Sequence, residues 1–360
     1  LLDSPVRNHL YYALKPYIPR RARIALRRAA AARIRKTCAD RWPILPSATT
    51  PPLGWQGWPD QKQFAVLLSH DVEDQRGLDR VRPLAQLEAD LGFRSVFNFI
   101  PEGPYRVPDD LRHWLTQNGF EVGVHDLHHD GKLYRSRSHF RHCAEKINRY
   151  LGDWNAVGFR SGFMLRNLDW IHDLHIEYDA STFDTDPFEP MPQGSETIFP
   201  FWVPSPAAAW PAAQRNGNSA APRPGYIELP YTLVQDLNLF IVLGEPTIDI
   251  WLRKVAWIAQ HGGMVHVDTH PDYMVWDPSS RAHDEFDVGL YRELLVHLRD
   301  HWSGRYWHAL PRDVARHALH QLVPALPNGK AHPVMTPPDV SESGLLPQAP
   351  SSAPRNGHHP

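Results

Sequence analysis

A parallel (β/α) barrel is the fold class this sequence predicts, and three observations predict it. Short apolar runs alternate with amphipathic helical stretches over roughly 250 residues. Strict strand–helix alternation calls for parallel strands joined by crossover helices. So many such units favour a closed or distorted barrel over an open sheet.

The elements follow in order. Residues 1–60 are a preface, and within it IPRRARIALRRAAAARIRK (18–36) is Arg- and Ala-rich and predicts a basic helix. Such a helix suits an acidic membrane surface or partner, or packs on the main domain with its charges in water. WPILPSATTPPLGWQGWP is then a Pro/Trp-rich connector. From Phe64 the pattern is regular: FAVLLSH (64–70) reads as a buried strand, and LDRVRPLAQLEADLG (78–92) as a helix stopped at Gly92. FRSVFNFI, FEVGVH, AVGFRS, IEYDAST, GYIELPYTL, MVHVDTH and RYWHALP read as the further strands. PDDLRHWLTQNG, RSHFRHCAEKINRYLG, NLDWIHDLH, TIDIWLRKVAWIAQHGG, VGLYRELLVHLRDHWSG and RDVARHAL read as the helices that link and follow them. The barrel is thereby expected over 61–320. A Pro/Ala/Asn-rich stretch at about 204–225 reads as a mobile insertion, and 321–360 as a disordered tail by composition.

Composition narrows the function classes. Apolar residues make up 42% and charged residues 22% of the 360, enough for a sizeable core in a soluble globular chain. A net charge of −2 argues against nucleic acid as the partner. Cys38 and Cys143 form no CxxC, which leaves no disulfide framework or Cys-type zinc site to expect. The 22 histidines and 13 tryptophans raise metal or acid–base chemistry and sugar stacking as questions. No run nears the roughly 18 apolar residues of a membrane helix, and the first residues lack a signal peptide's apolar core and cleavage site. A cytoplasmic or membrane-peripheral location is expected, with contact through 18–36; export stays open because the sequence starts at Leu1. Oligomeric state is not legible.

Chemistry in parallel α/β folds gathers at the carboxyl ends of strands. Those ends supply His70, Asp71 and Glu73; HDLHHDG (125–131); Arg160; Asp179, Asp184 and Asp186; and Asp268 and His270. Polar groups at so many strand ends are expected to converge on one pocket. His125 and His129 stand four apart, which on a helical turn places two imidazoles on one side of a divalent ion. A carboxylate from a neighbouring strand end would complete a two-His-one-carboxylate set. Asp71 and Glu73 alternate with Val72 and so share a face. One acid can then face a metal and another a water. Arg160 can hold a carboxylate base ionised, and His270 is placed to act as a general acid.

In this order SHDVED, HDLHH, GFRSG, YDASTFDTDP and VDTHPDY resemble the motifs of the polysaccharide deacetylases with NodB homology, carbohydrate esterase family 4, over roughly residues 64–275. The resemblance implies a distorted (β/α) barrel and a metal-dependent hydrolase that removes N-acetyl groups from amino sugars of a polysaccharide or lipid-linked glycan. It implies Asp71 as catalytic base, His125 and His129 as metal ligands, Arg160 as the residue orienting the base, and His270 as general acid. An aspartate of the fourth motif, Asp179 or Asp184, would tune that histidine. The commoner first motif has two adjacent aspartates; here Val72 follows Asp71, so Glu73, or else Asp74, takes the third ligand position. Zinc is the expected ion, with cobalt, nickel or iron as alternatives. The third motif has Ser161-Gly162 where proline is common. The long run after Ser181 is similar to a subgroup associated with exopolysaccharide or cell-surface glycan biosynthesis. Two other readings share the fold: a hydrolase of small or cyclic amides, and a non-catalytic glycan-binding barrel whose tryptophans stack on sugars.

Overall fold

The computed structural model describes residues 19–205 and 225–323. Most of the 204–225 insertion and of the 321–360 tail lies outside those residues. The chain runs through α1 (Arg20–Arg35), β1 (Phe64–Val72), α2 (Gln75–Asp90), β2 (Val96–Phe99), α3 (Asp109–Gln117), β3 (Glu121–His125), α4 (Arg137–Trp154) and β4 (Gly158–Arg160). It continues with α5 (Leu168–Ile171), β5 (Tyr178–Asp179), β6 (Phe201–Pro204), β7 (Gly225–Glu228), α6 (Asp249–His261) and β8 (Met264–Thr269). Next come β9 (Met274–Val275), β10 (Phe286–Asp287), α7 (Val288–His301), β11 (Tyr306–His308) and α8 (Pro311–Leu322).

Among the described residues one nine-stranded sheet has the order β11-β1-β2-β3-β4-β5-β7-β6, with β8 also paired to β1. β8 covers Ala65–His70 of β1, so β11, against Phe64–Val66, and β2, against Ser69–Val72, share the opposite edge. Beyond β7 the chain returns to β8: Leu233 bridges Val267, and the N–H groups of Thr232 and Leu233 both donate to the His266 carbonyl. That contact curls the parallel sheet into a distorted barrel. β6 is the exception the sequence did not disclose: it runs antiparallel to β7. Its four residues end in Pro204, which lacks an N–H and fits an edge strand.

The two faces of β1 separate cleanly. Phe64, Val66, Leu68 and Val72 pack in the cluster with Leu84 of α2, Trp251 of α6 and Leu294 of α7. Ala65 and Leu67 instead meet Tyr178, Ile227 and Met264 from β5, β7 and β8, together with Val314 and Ala318 of α8. β1 and β5 are not neighbours in the sheet, so the second cluster lies inside the barrel, where α8 contributes to it. Period-two alternation therefore turns Ser69 and Asp71 inward and His70 outward.

His70 accordingly joins the helix layer. Its Nε2 lies 2.8 Å from Glu88 Oε1, and Glu88 also accepts from Ser95 Oγ at 2.6 Å and from the Tyr291 hydroxyl. All four residues are fully buried. Burial raises the Glu88 pKa, but His70, Ser95 and Tyr291 together leave it below the usual glutamate value. Its stabilisation is thus present above the unfolded value of about 4.3 and is lost as pH falls through the lower folded value. Glu88→Ala strands three donors and is expected to cost about 3–5 kcal/mol at pH 7 in urea unfolding. A loss below about 1 kcal/mol would rule out this hub as a stabilising element.

α1 packs against the main body. Ile24 and Ala31 are buried, Arg27 Nη2 donates to Asn238 Oδ1 at 2.9 Å, and Arg28 Nε donates to the Ile241 carbonyl at 2.8 Å. Arg35 pairs with Glu245. The partner element is the π-helical turn Leu237–Val242, while Arg21, Arg33 and Lys36 stay exposed. No helix among the described residues is long and apolar enough to cross a membrane.

Candidate active site

Inward parity delivers one polar side chain after another to the carboxyl end of the barrel. Asp71 comes from β1, Asn98 from β2, His125 from β3, Arg160 from β4, and Asp268 from β8; Glu73 and His270 follow directly after β1 and β8. Asp71, Asn98, His125, Arg160, Asp268 and His270 are all buried.

Arg160 organises the floor. Its Nη1 lies 2.8 Å from Asp268 Oδ2 and its Nε 3.5 Å from Asp71 Oδ1, while Nη2 donates to Ser69 Oγ at 3.0 Å. Asn98 Nδ2 donates to the same Asp71 Oδ1 at 2.8 Å. Space for that amide exists because residue 123 on β3 is glycine: a Cβ there would fall 2.0 Å from Asn98 Oδ1. Burial opposes an ionised Asp71, yet His125, Arg160, His270 and the Asn98 hydrogen bond hold its pKa below the ordinary aspartate value. Asp268 goes the other way, pushed up to about 8 by burial in spite of Arg160. Environment thus pulls the pKa values of two nearby acids apart, one down and one up.

The histidine pair is not helical, contrary to the geometry inferred from its spacing. His125 is the last residue of β3, and His129 lies in the loop beyond, where Asp126 and His129 adopt left-handed φ values of 56° and 52°. That turn brings the two rings to a centroid separation of 4.7 Å. Gly162 makes room for it: a Cβ would sit 2.6 Å from Asp126 Oδ2 and 2.7 Å from His129 Cδ2. Phe163, also at positive φ (58°), lays its ring against His129 at 4.1 Å.

His125 Nδ1 lies 3.1 Å from the Arg160 carbonyl, which only accepts, so Nδ1 carries a proton and, in the neutral ring, the lone pair is on Nε2. That Nε2 is buried with no hydrogen-bond partner. His129 Nε2 lies 3.2 Å from Glu73 Oε1. Glu73, His125 and His129 each offer one donor atom, all within 4.8 Å of one another. An unsatisfied buried imidazole lone pair is costly, and two imidazoles with a carboxylate form a donor set suited to a divalent cation. The site fits such an ion. Asp71, Asp268 and His270 form a second group of comparable compactness, but there the Arg160 guanidinium already supplies the positive charge.

His270 is held by a residue the sequence reading passed over. Asp236 Oδ1 lies 2.7 Å from His270 Nδ1, and Asp236 Oδ2 accepts the His270 backbone N–H at 2.7 Å. Burial opposes a charged imidazole, but Asp236, then Glu73 and Asp268, raise the His270 pKa well above the ordinary histidine value. The fourth-motif aspartates do not reach it. Asp184 pairs with Lys254 Nζ of α6 at 2.5 Å, and burial pushes its pKa up to about 6. Asp179 follows the inward-facing Tyr178, so strand alternation turns it to the outer face, where it accepts from Ser181 Oγ at 2.6 Å. Asp74 is also withdrawn from the histidines: it caps α2, accepting the Gly77 N–H at 3.1 Å. The structure therefore brings Asp71, Glu73, His125, His129, Arg160 and His270 together and leaves Asp184 outside.

No family model and no curated protein matches the sequence. Solved structures do match. A Mycobacterium smegmatis protein assigned as a polysaccharide deacetylase aligns over 79% of this chain and 99% of its own, with a TM-score of 0.55 and 15% identity. Peptidoglycan deacetylase PdaC from Bacillus subtilis aligns over 73% and 96%, with a TM-score of 0.40 and 12% identity. A Bordetella bronchiseptica protein assigned to O-antigen biosynthesis as a polysaccharide deacetylase aligns over 72% and 86%, with a TM-score of 0.36 and 14% identity. The first likeness establishes the fold class: the distorted parallel barrel of the NodB-homology, polysaccharide deacetylase type.

Proposed function

We propose that this chain is a metal-dependent amide hydrolase that removes N-acetyl groups from amino sugars of a polysaccharide or lipid-linked glycan. One observation carries the reading. A buried acid whose pKa is held down, a histidine whose pKa is held up and a histidine–glutamate cluster with a buried imidazole nitrogen that lacks a hydrogen-bond partner meet at the carboxyl end of a barrel of this fold type. Glu73, His125 and His129 would hold the ion, zinc by the chemistry of the donors. When bound, it supplies Lewis acidity for the amide carbonyl.

The protein's own groups account for the proton transfers. Asp71 Oδ1 is occupied by Asn98 and faces Arg160, which leaves Oδ2, 3.8 Å from His125 Nε2, as the oxygen that takes a proton from the attacking water. Arg160 keeps that carboxylate ionised before the reaction and is itself fixed by Asp268. His270 carries its proton on Nε2 toward Glu73 Oε1, 3.9 Å away, and its Nδ1–H is anchored on Asp236. It is the group able to protonate the leaving amine as the C–N bond breaks, giving acetate and a free amino sugar.

The test is acetate release from N-acetylglucosamine oligomers by the purified full chain. Activity lost on chelation and restored by zinc is the expected result. Sugar binding without acetate release across a panel of acetylated glycans, zinc present, would replace this reading with the non-catalytic one.

A further inference from the structure

The residues immediately after His270 form a 3-10 turn, Pro271–Tyr273, which reaches back to the end of β1. Asp272 accepts two backbone N–H groups there, that of Glu73 on Oδ2 at 3.0 Å and that of Asp74 on Oδ1 at 2.7 Å. The Tyr273 hydroxyl donates to Glu73 Oε2 at 2.7 Å. Arg80 of α2 fixes the turn from below, donating to the carbonyls of Pro271 and Asp272 at 3.3 and 3.0 Å. Residue 77 is glycine for the same reason: a Cβ would fall 2.2 Å from Asp272 Oδ2.

His270 does not need these contacts, because Asp236 already takes its ring Nδ1 and its backbone N–H. Their target is Glu73. With Oε2 tied to Tyr273, Oε1 is the oxygen left facing His129 at 3.2 Å and His270 at 3.9 Å. A glutamate has one more rotatable bond than an aspartate, and that freedom opposes binding unless the carboxylate is set in advance.

We propose that Asp272 and Tyr273 are positioning residues for the Glu73 carboxylate. Asp272 fixes the backbone from which the side chain departs, and Tyr273 selects the oxygen presented to His129. The pair makes a glutamate two residues beyond Asp71 a workable ligand, and it couples the β1 and β8 ends of the cleft. This inference rests on the reading of Glu73, His125 and His129 as an ion site.

The experiment measures affinity for zinc ion alone, by competition with a chromophoric chelator, for the metal-stripped full chain and for Tyr273→Phe and Asp272→Asn. Tyr273→Phe keeps the ring and removes only the hydroxyl; Asp272→Asn keeps the shape but sacrifices an acceptor. Outer hydrogen-bond partners of metal ligands are worth about 10–100-fold in affinity, and a loss of that size is expected in Tyr273→Phe. Its acetate release should fall at limiting zinc and recover most of the way at saturating zinc. Unchanged zinc affinity in both variants, with one zinc bound by the parent chain, overturns the positioning role and leaves the ion site standing. A rate loss that no zinc concentration restores also overturns it, marking Tyr273 as structural. Absence of zinc uptake by the parent chain removes the ion site and this inference together.

Discussion

Asp71→Asn is expected to lower acetate release about 10²–10⁴-fold, the range contributed by a positioned general base. The substitution preserves shape and keeps an oxygen for Asn98, but an amide cannot take a proton from water. Loss of the buried charge is not expected to unfold the barrel. Asp71 is among the groups that raise the Asp268 pKa, so its removal favours an ionised Asp268 beside Arg160, 2.8 Å away. The guanidinium then keeps a charged partner and avoids the penalty of an orphaned buried ion. Zinc content should persist as well, since Glu73, His125 and His129 are untouched. The measurements are turnover at saturating substrate and zinc, zinc stoichiometry, and a urea unfolding curve. A variant within tenfold of the parent rate would exclude Asp71 as the base.

Much of this site was legible because a strand has only two faces. The alternation of FAVLLSHDV already separates His70 from Asp71, and in the structure they point to the helix layer and to the barrel interior. The same rule, applied through Tyr178, would have turned Asp179 away from His270. What misled was length: IEYDAST suggested a full strand, but within it only Tyr178 and Asp179 pair; the chain touches the sheet again at the isolated Phe183–Tyr231 bridge, and Asp184 just beyond it pairs with Lys254. Asn98 carried a readable signal as the polar residue in the apolar strand VFNF. Asp236 carried a fainter one, lying just past GYIELPYTL, an end from which no polar residue was taken. Its role depends on the bridge between Leu233 and Val267 and on a turn in which Asp236 caps Leu237, neither of which has a periodic signature. The HxxxH spacing was suggestive for the wrong reason, since left-handed residues at Asp126 and His129, not a helix, bring the rings together. Backbone strain of this kind is set by tertiary contacts and concentrates at functional sites.

Asp236→Asn is expected to change the pH dependence of the reaction more tellingly than its maximum. A general acid must be protonated, so the rate falls as pH rises through the His270 pKa. In the parent chain Asp236 keeps that pKa well above the ordinary value, and protonated His270 persists through neutral pH. Replacing the carboxylate removes the nearest negative charge, leaving burial to disfavour the imidazolium with only Glu73 and Asp268 opposing it. The alkaline limb should therefore move toward lower pH, near the ordinary histidine value of about 6.5. At pH 8 the loss should reach about 30-fold, set by the small fraction of an imidazole of pKa about 6.5 that is still protonated there, and it should shrink as the pH is lowered toward 6. An amide also cannot accept from both the ring Nδ1–H and the backbone N–H of His270, each now 2.7 Å from a carboxylate oxygen, as well as the two oxygens do. That positional defect would depress the rate at every pH, whereas the electrostatic one is confined to the alkaline side. A pH–rate profile of kcat/KM for parent and variant separates the two, and an alkaline limb that does not move would refute the assignment of His270 as an acid tuned by Asp236.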